Sequence, residues 1–145
     1  INFLTMLLNN NPNINDIYFI VGIFIWIVGF YIEVLADEQK RRFKLDHNNK
    51  DKFISSGLWK YSRHPNYFGE IVLWFGMAIM TLPTLGGWEH ISLISPIFVF
   101  LLLTKSSGVP ILENQADKKW GNIPEYQDYK KITPILFPFY NKKGL

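Results

Sequence analysis

Five consecutive residues have the types and spacing expected of an anion site: Arg63, His64, Pro65, Asn66 and Tyr67. Proline disfavours helix at the residue before it, so we expect the chain to turn at His64. Asparagine is a favourable N-cap, so we expect Asn66 to cap the helix that follows. Free amides at that helix start, beside an arginine, would bind a phosphate. A membrane-entry turn with Tyr67 as an interfacial anchor is the alternative.

Two lysines upstream could serve the same chemistry. Lys40 and Lys44 are four positions apart, so they share a helical face if the helix continues past Ala36. That face could bind phosphate groups. A basic juxtamembrane segment that contacts anionic lipid would give the same pattern.

The C-terminal part of the chain adds polar and aromatic candidates. Gly121 and Pro124 divide it into two short amphipathic segments. Each segment carries its apolar or aromatic residues on one face: Leu112, Ala116 and Trp120 in the first, Tyr126 and Tyr129 in the second. We expect this tail to lie against the membrane or the loop. It could also close over a site formed by the loop, with Glu113 and the tyrosines as polar contacts.

Three apolar blocks must position these residues. They cover about residues 17–36, 67–82 and 91–104, and a helix of about 20 residues spans the hydrocarbon core of a bilayer. The third block is short and contains Pro96, which makes a tilted or re-entrant segment an alternative there. Residues 3–8 resemble the end of an earlier span, and the sequence begins with isoleucine, so we expect a piece of a longer chain.

The charges support a membrane orientation. All 15 Lys and Arg residues fall in the loop 37–66 or in the tail 105–145. By the positive-inside rule, both segments face the cytoplasm. We therefore predict an all-α, multi-span transmembrane helical bundle with a cytoplasmic loop and an amphipathic tail. Its location would be the endoplasmic reticulum or a bacterial inner membrane.

Residues inside the blocks indicate how the helices pack. Gly22, Trp26, Gly29 and Glu33 share one helix face, and small residues there favour close helix packing. Glu33 is close enough to the cytoplasmic end to reach water. Glu70, one turn into the second block, is expected to face a cavity or a partner instead of lipid.

Several kinds of chemistry are excluded. The chain has no cysteine, so it contains no disulfide, no CxxC zinc site and no thiol nucleophile. It lacks the phosphate-binding loop and the GxGxxG, HExxH and GxSxG motifs. Because these motifs are missing, we expect no soluble dinucleotide fold, and we also expect no metal site. Because the basic segments adjoin membrane spans, we expect no nucleic-acid partner.

Four ordered segments carry a family resemblance. Residues 57–70, GLWKYSRHPNYFGE, resemble the RHPNYxG(D/E) core of membrane steroid and sterol reductases. Residues 36–44, 107–113 and 119–138 resemble the QKxxF(K/R), SGxPxLE and (W/Y)GxxxxYxxYxxxTPxLxP elements of the same family. The chain is most similar to the membrane family related to the C-terminal domain of steroid 5-alpha-reductases. This superfamily also includes the isoprenylcysteine methyltransferases.

The resemblance implies a site and a reaction. The cofactor would be NADPH, held by Lys40, Lys44, Arg63, His64, Asn66 and Tyr67, with Glu113 and Tyr126 lining the site from the tail. A hydrophobic substrate in the bilayer, a steroid or another lipid, would be reduced at a conjugated carbon–carbon double bond. Tyr67 and Glu70 are the candidate catalytic residues, as the groups that supply the proton in this reduction.

Two alternatives remain open. Isoprenylcysteine methyltransferases have an RHPxY element and a similar tail, but they bind S-adenosylmethionine. They usually carry paired glutamates where this chain has Leu112 and Glu113, and the QK element and Asn66 also favour the reductase. The second alternative is a membrane protein without catalytic activity, because a shared fold does not fix the chemistry.

Overall fold

The computed structural model describes residues 13–106 and 108–138, and the regular structure in that part of the chain is helical throughout. The α-helices are α1 (Ile14–Leu45), α2 (Pro65–Thr81), α3 (Ile94–Leu101), α4 (Val109–Trp120) and α5 (Pro124–Ile132). Short 3-10 helices cover His47–Asn49, Gly57–Lys60, Leu82–Thr84 and Gly87–Leu93, and a π-helical turn covers Leu102–Ser106. The predicted all-α fold is confirmed.

Helix α1 starts at a capping box and extends well beyond its apolar part. The Asn13 side chain accepts from the Asp16 amide at 3.0 Å, and the Asp16 side chain accepts from the Asn13 amide at 3.2 Å. The helix continues past Ala36 to Leu45. Its polar last turns are supported by Glu38, which bridges Arg41 and Arg42 at 2.6 Å each. The continuation places Lys40 and Lys44 on one helical face.

Helix α2 corrects the predicted cap. It begins at Pro65, and its N-cap is His64, with φ −136° and ψ 63°, so the predicted turn at His64 is confirmed. Asn66 lies inside the first turn and is not the N-cap. The physical reason is that proline is favourable at the first helical position, where its missing N–H costs no hydrogen bond.

Glycines bring α1 and α2 into backbone contact. Gly22 faces Gly76, and Gly29 faces Gly69, as expected of two antiparallel helices. A Cβ at Gly69 would lie 2.6 Å from the Glu33 amide nitrogen and 2.7 Å from the Gly29 carbonyl oxygen. Close packing at Gly22 and Gly29 is therefore confirmed, and the matching pair on α2 was not predicted.

Three helical stretches are long and apolar enough to cross a membrane: Ile14–Leu45, Pro65–Thr84 and Gly87–Trp120. The third includes residue 107, which is outside the described part. Pro96 lies in the first turn of α3, where its missing N–H costs no intrahelical bond. The protein is an all-α membrane helical bundle. The span predicted from residues 3–8 and the tail beyond residue 138 lie outside the described residues.

Candidate functional site

The polar end of α1 anchors the loop that follows it. The Trp59 indole donates to the Ala36 carbonyl at 3.0 Å, and the Leu58 amide donates to the Gln39 side chain at 2.9 Å. Gly57 has a positive φ of 60° and lies against Gln39, so a side chain there would be strained. These contacts place the Lys40 ammonium 4.7 Å from the centre of the Trp59 ring.

Residues 62–64 form a wall that is bound to the C-terminal tail. The amides of Arg63 and His64 donate to the carbonyls of Pro134 and Ile135 at 2.9 and 3.1 Å. The Ser62 hydroxyl donates to the Leu136 carbonyl at 2.8 Å. The amides of Arg63 and His64 are thus used by the tail. The amides of the predicted anion site belong to the start of the next helix, which begins at Pro65, and their role stays a prediction.

Glu113 on α4 joins the two central side chains of the wall. One carboxylate oxygen contacts Arg63 Nη1, and the other lies 2.7 Å from His64 Nε2. The side chains of Arg63, His64 and Glu113 are only 9%, 7% and 18% exposed. A carboxylate only accepts hydrogen bonds, so His64 Nε2 carries a proton in this contact. The charge of Arg63 is matched by Glu113 inside the protein.

Three polar atoms beside this cluster are buried without a hydrogen-bond partner: Arg63 Nε, His64 Nδ1 and Asn66 Oδ1. Most buried polar atoms in folded proteins have a partner, and exceptions call for an explanation such as an absent ligand or water. The three atoms therefore favour a polar ligand beside the wall.

Aromatic side chains enclose the space between α1 and the tail. The Phe53 ring lies 6.2, 5.1 and 5.5 Å from the rings of Trp120, Tyr126 and Tyr129. Trp120 Nε1 donates to the Asp51 carbonyl at 2.6 Å, and the Tyr129 hydroxyl donates to the Trp59 carbonyl at 2.5 Å. This aromatic cluster joins the loop, α4 and α5.

Burial also affects the two tyrosines of α5. Burial, reinforced by the charge of Glu113, raises the pKa of Tyr126 to about 12. Burial likewise raises the pKa of Tyr129. Both phenols are therefore neutral hydrogen-bonding groups near neutral pH.

The resulting pocket has a volume of about 270 Å³. Four lysine and arginine side chains line it. Arg63 pairs with Glu113 and Lys119 with Asp51, whereas Lys40 and Lys44 form no ion pair with a described residue. Its lining combines charged, polar and aromatic side chains: Lys40, Lys44, Phe53, Ile54, Trp59, Arg63, His64, Leu112, Glu113, Gln115, Ala116, Lys119, Trp120, Tyr126 and Tyr129. Lysine ammonium groups suit phosphate, and flat aromatic faces suit ring systems.

The structure brings six of the predicted site residues together in this pocket: Lys40, Lys44, Arg63, His64, Glu113 and Tyr126. The other three lie on α2 outside its lining. Tyr67 stacks on His64 with ring centres 5.7 Å apart. Gly108 allows a close approach there, because a Cβ at this position would lie 3.1 Å from Tyr67 Cε2. Glu70 lies in the second turn of α2, and Asn66 contributes the unpartnered oxygen.

Sequence reasoning missed part of the lining, above all Phe53, Trp59 and Lys119. Trp59 and Phe53 lie in the loop between the first two spans, where aromatic residues are also typical of a membrane interface. Only the fold shows that Phe53 packs on the rings of α4 and α5 and that the Trp59 indole packs on α1. Tyr129 was predicted to share a face with Tyr126, but its bond to the Trp59 carbonyl was not predicted.

Fold and site together define a helical membrane protein with a polar, aromatic-lined pocket at one end of its spans. Residues 2–133 match the family described as "Protein of unknown function (DUF1295)", and the chain belongs to this family.

Curated relatives carry more specific names. The chain is 28% identical over 126 residues to 3-oxo-5-alpha-steroid 4-dehydrogenase 1 of Bos taurus, covering 87% of this chain and 44% of the relative. It is 31% identical over 121 residues to steroid 5-alpha-reductase DET2 of Gossypium hirsutum, covering 83% and 42%. The chain thus spans less than half the length of these relatives. The predicted relation to the steroid 5-alpha-reductases is confirmed. No solved structure matches the chain.

Proposed function

We propose that this chain forms the cofactor-binding part of an NADPH-dependent membrane reductase. Its substrate would be a steroid or another lipid with a carbon–carbon double bond conjugated to a carbonyl. The observation that carries the proposal is the pocket between α1, the wall and the tail. It combines two lysines that form no ion pair with a described residue and buried polar atoms that lack partners. The names of the relatives, steroid 5-alpha-reductase among them, supply the reaction class.

The residues of the pocket fit the parts of NADPH. Lys40 and Lys44 offer charge to phosphate groups, including the 2′-phosphate that distinguishes NADPH from NADH. Trp59, Phe53 and Tyr126 offer aromatic faces to flat rings. Arg63 Nε can donate a hydrogen bond, and Asn66 Oδ1, on α2 beside the lining, can accept one.

When bound, NADPH supplies a hydride for the β-carbon of the conjugated system. Tyr67 and Glu70 are the proposed proton donors: one of them polarises the carbonyl oxygen and then protonates the enolate. The stacking of the Tyr67 ring on His64, which itself lines the pocket, supports this role. Arg63 and His64, held by Glu113, form the rigid wall against which the ligand packs.

The proposal is tested by activity of the purified protein with its natural N-terminal region. Steroid and lipid enones are incubated with NADPH, and products are analysed for the gain of two hydrogens. Arg63→Ala and Tyr67→Phe should lower turnover, while Lys60→Ala, exposed and outside the pocket, should not. Methyl transfer from S-adenosylmethionine without NADPH would assign the pocket to the methyltransferase alternative and overturn the reductase.

A further inference from the structure

Residues 132–137, which begin at the last residue of α5, expose apolar side chains although their backbone is bound. Ile132, Ile135 and Phe137 are 57%, 42% and 49% exposed. The carbonyls of Pro134 and Ile135, within the same segment, accept from the wall. The segment is therefore held in place with its apolar side chains turned outward.

Ring contacts place this segment beside the apolar part of the bundle. The Phe137 ring lies 6.0 Å from Phe68 and 6.4 Å from Phe100. Phe68 follows the first turn of α2, and Phe100 is next to the last residue of α3. Both rings belong to helical stretches long enough to cross a membrane. The exposed isoleucines thus continue the lipid-facing surface at the end where the polar pocket lies.

The charges around the segment fit a bilayer surface. Lys60 and Lys131 are exposed beside it. The ion pair between Lys131 and Asp128 spans 3.1 Å between two largely exposed side chains, so water screens it. Apolar side chains flanked by lysines are typical of segments that lie in the headgroup region of a membrane.

We infer that residues 132–137 insert into the interfacial region of the bilayer, with the side chains of Ile132 and Ile135 among the lipid chains. The same segment binds Ser62, Arg63 and His64 through its carbonyls. The lipid surface therefore supports one wall of the polar pocket directly. This inference does not depend on the reaction that the protein catalyses.

The absence of cysteine from the sequence allows a direct test. Single substitutions Ile132→Cys and Ile135→Cys are made in the full protein, labelled with a nitroxide and reconstituted in phosphatidylcholine vesicles. The matched control is Ile123→Cys, because Ile123 is also exposed but precedes the opposite end of α5. Electron paramagnetic resonance then compares collisions with oxygen, which concentrates in lipid, and with a water-soluble nickel chelate.

We expect the oxygen-to-nickel collision ratio at Ile132 and Ile135 to exceed that at Ile123 several-fold. A ratio equal to that of Ile123 would place the segment in water and overturn the inference. A high ratio that appears only when phosphatidylglycerol is added would mean that insertion requires anionic headgroups and is not driven by the apolar side chains, and would also overturn it. If Ile135→Cys does not fold, the more exposed Ile132→Cys decides the outcome alone.

Discussion

At the scale of single residues, Glu113 is the centre of the site. It contacts Arg63 and His64 at once and links α4 to the wall. The resemblance to reductases implied that Arg63 meets a cofactor directly. The structure shows that its charge is matched by Glu113, while its Nε has no hydrogen-bond partner. Among the described residues that line the pocket, Lys40 and Lys44 are cations without an ion pair.

Loss of Glu113 should therefore destabilise the fold. Glu113→Ala leaves Arg63 buried without a counter-ion, and we expect a loss of about 3 kcal/mol in unfolding free energy. Glu113→Gln should cost less, because its amide oxygen still accepts a hydrogen bond. The measurement is unfolding in detergent, with Glu125→Ala, at an exposed position of α5, as the control. Equal stability of Glu113→Ala and Glu125→Ala would contradict the ion-pair account.

The tyrosines of α5 predict an alkaline limit to stability. In the folded protein the pKa of Tyr126 is raised from 10.0 to about 12. The stabilisation is thus complete below the unfolded-state pKa and is lost as pH rises through about 12. Ultraviolet absorbance of the phenolates should show a late-titrating class that coincides with unfolding, reduced in Tyr126→Phe and Tyr129→Phe. Titration of every tyrosine near its ordinary pKa would refute this.

Among the secondary-structure elements, the pairing of α1 with α2 determines where the two sides of the pocket lie. The two helices meet through glycines whose missing side chains allow backbone contact at Gly69 and Gly76. This contact places the end of α1, with its lysines, beside the start of α2, with the wall. The pocket depends on this alignment, although the glycines are remote from it.

A methyl group at the interface should therefore be costly. Gly69→Ala places a Cβ against the Glu33 amide and the Gly29 carbonyl, both backbone atoms that cannot move aside. We expect a loss of about 1–3 kcal/mol, the usual cost of overpacking. Gly86→Ala is the control, because nothing lies within 4 Å of a Cβ there. Denaturation in detergent compares the two variants, and similar midpoints would contradict the packing account.

The sequence predicts the helical class and the residues of the pocket better than it predicts helix ends and long-range bonds. Apolar blocks indicate spans, but the block ending at Ala36 did not show that α1 reaches Leu45. The choice of Asn66 as N-cap followed a side-chain preference, while Pro65 at the first helical position decided the helix start. Bonds from residues 63–64 to 134–135 join distant segments through the backbone, which carries no sequence signal.

In the whole molecule, the lipid-facing helices and the polar pocket are physically connected. The tail joins them, because its carbonyls hold the wall and its Phe137 ring lies against Phe68 and Phe100. A cofactor from water and a substrate from lipid would meet where these parts join. The matched region is less than half of the length of the curated relatives.

We propose that the pocket binds NADPH through Lys40 and Lys44. The most direct test is calorimetric titration of the purified protein, with its natural N-terminal region, against NADPH, NADH and S-adenosylmethionine. We predict saturable binding of NADPH, weaker binding of NADH, and a loss of about tenfold or more in NADPH affinity in Lys40→Ala, as for one charged hydrogen bond. Lys60→Ala should bind like the unaltered protein. Tighter binding of S-adenosylmethionine, or equal NADPH affinity in Lys40→Ala and Lys60→Ala, would contradict the account.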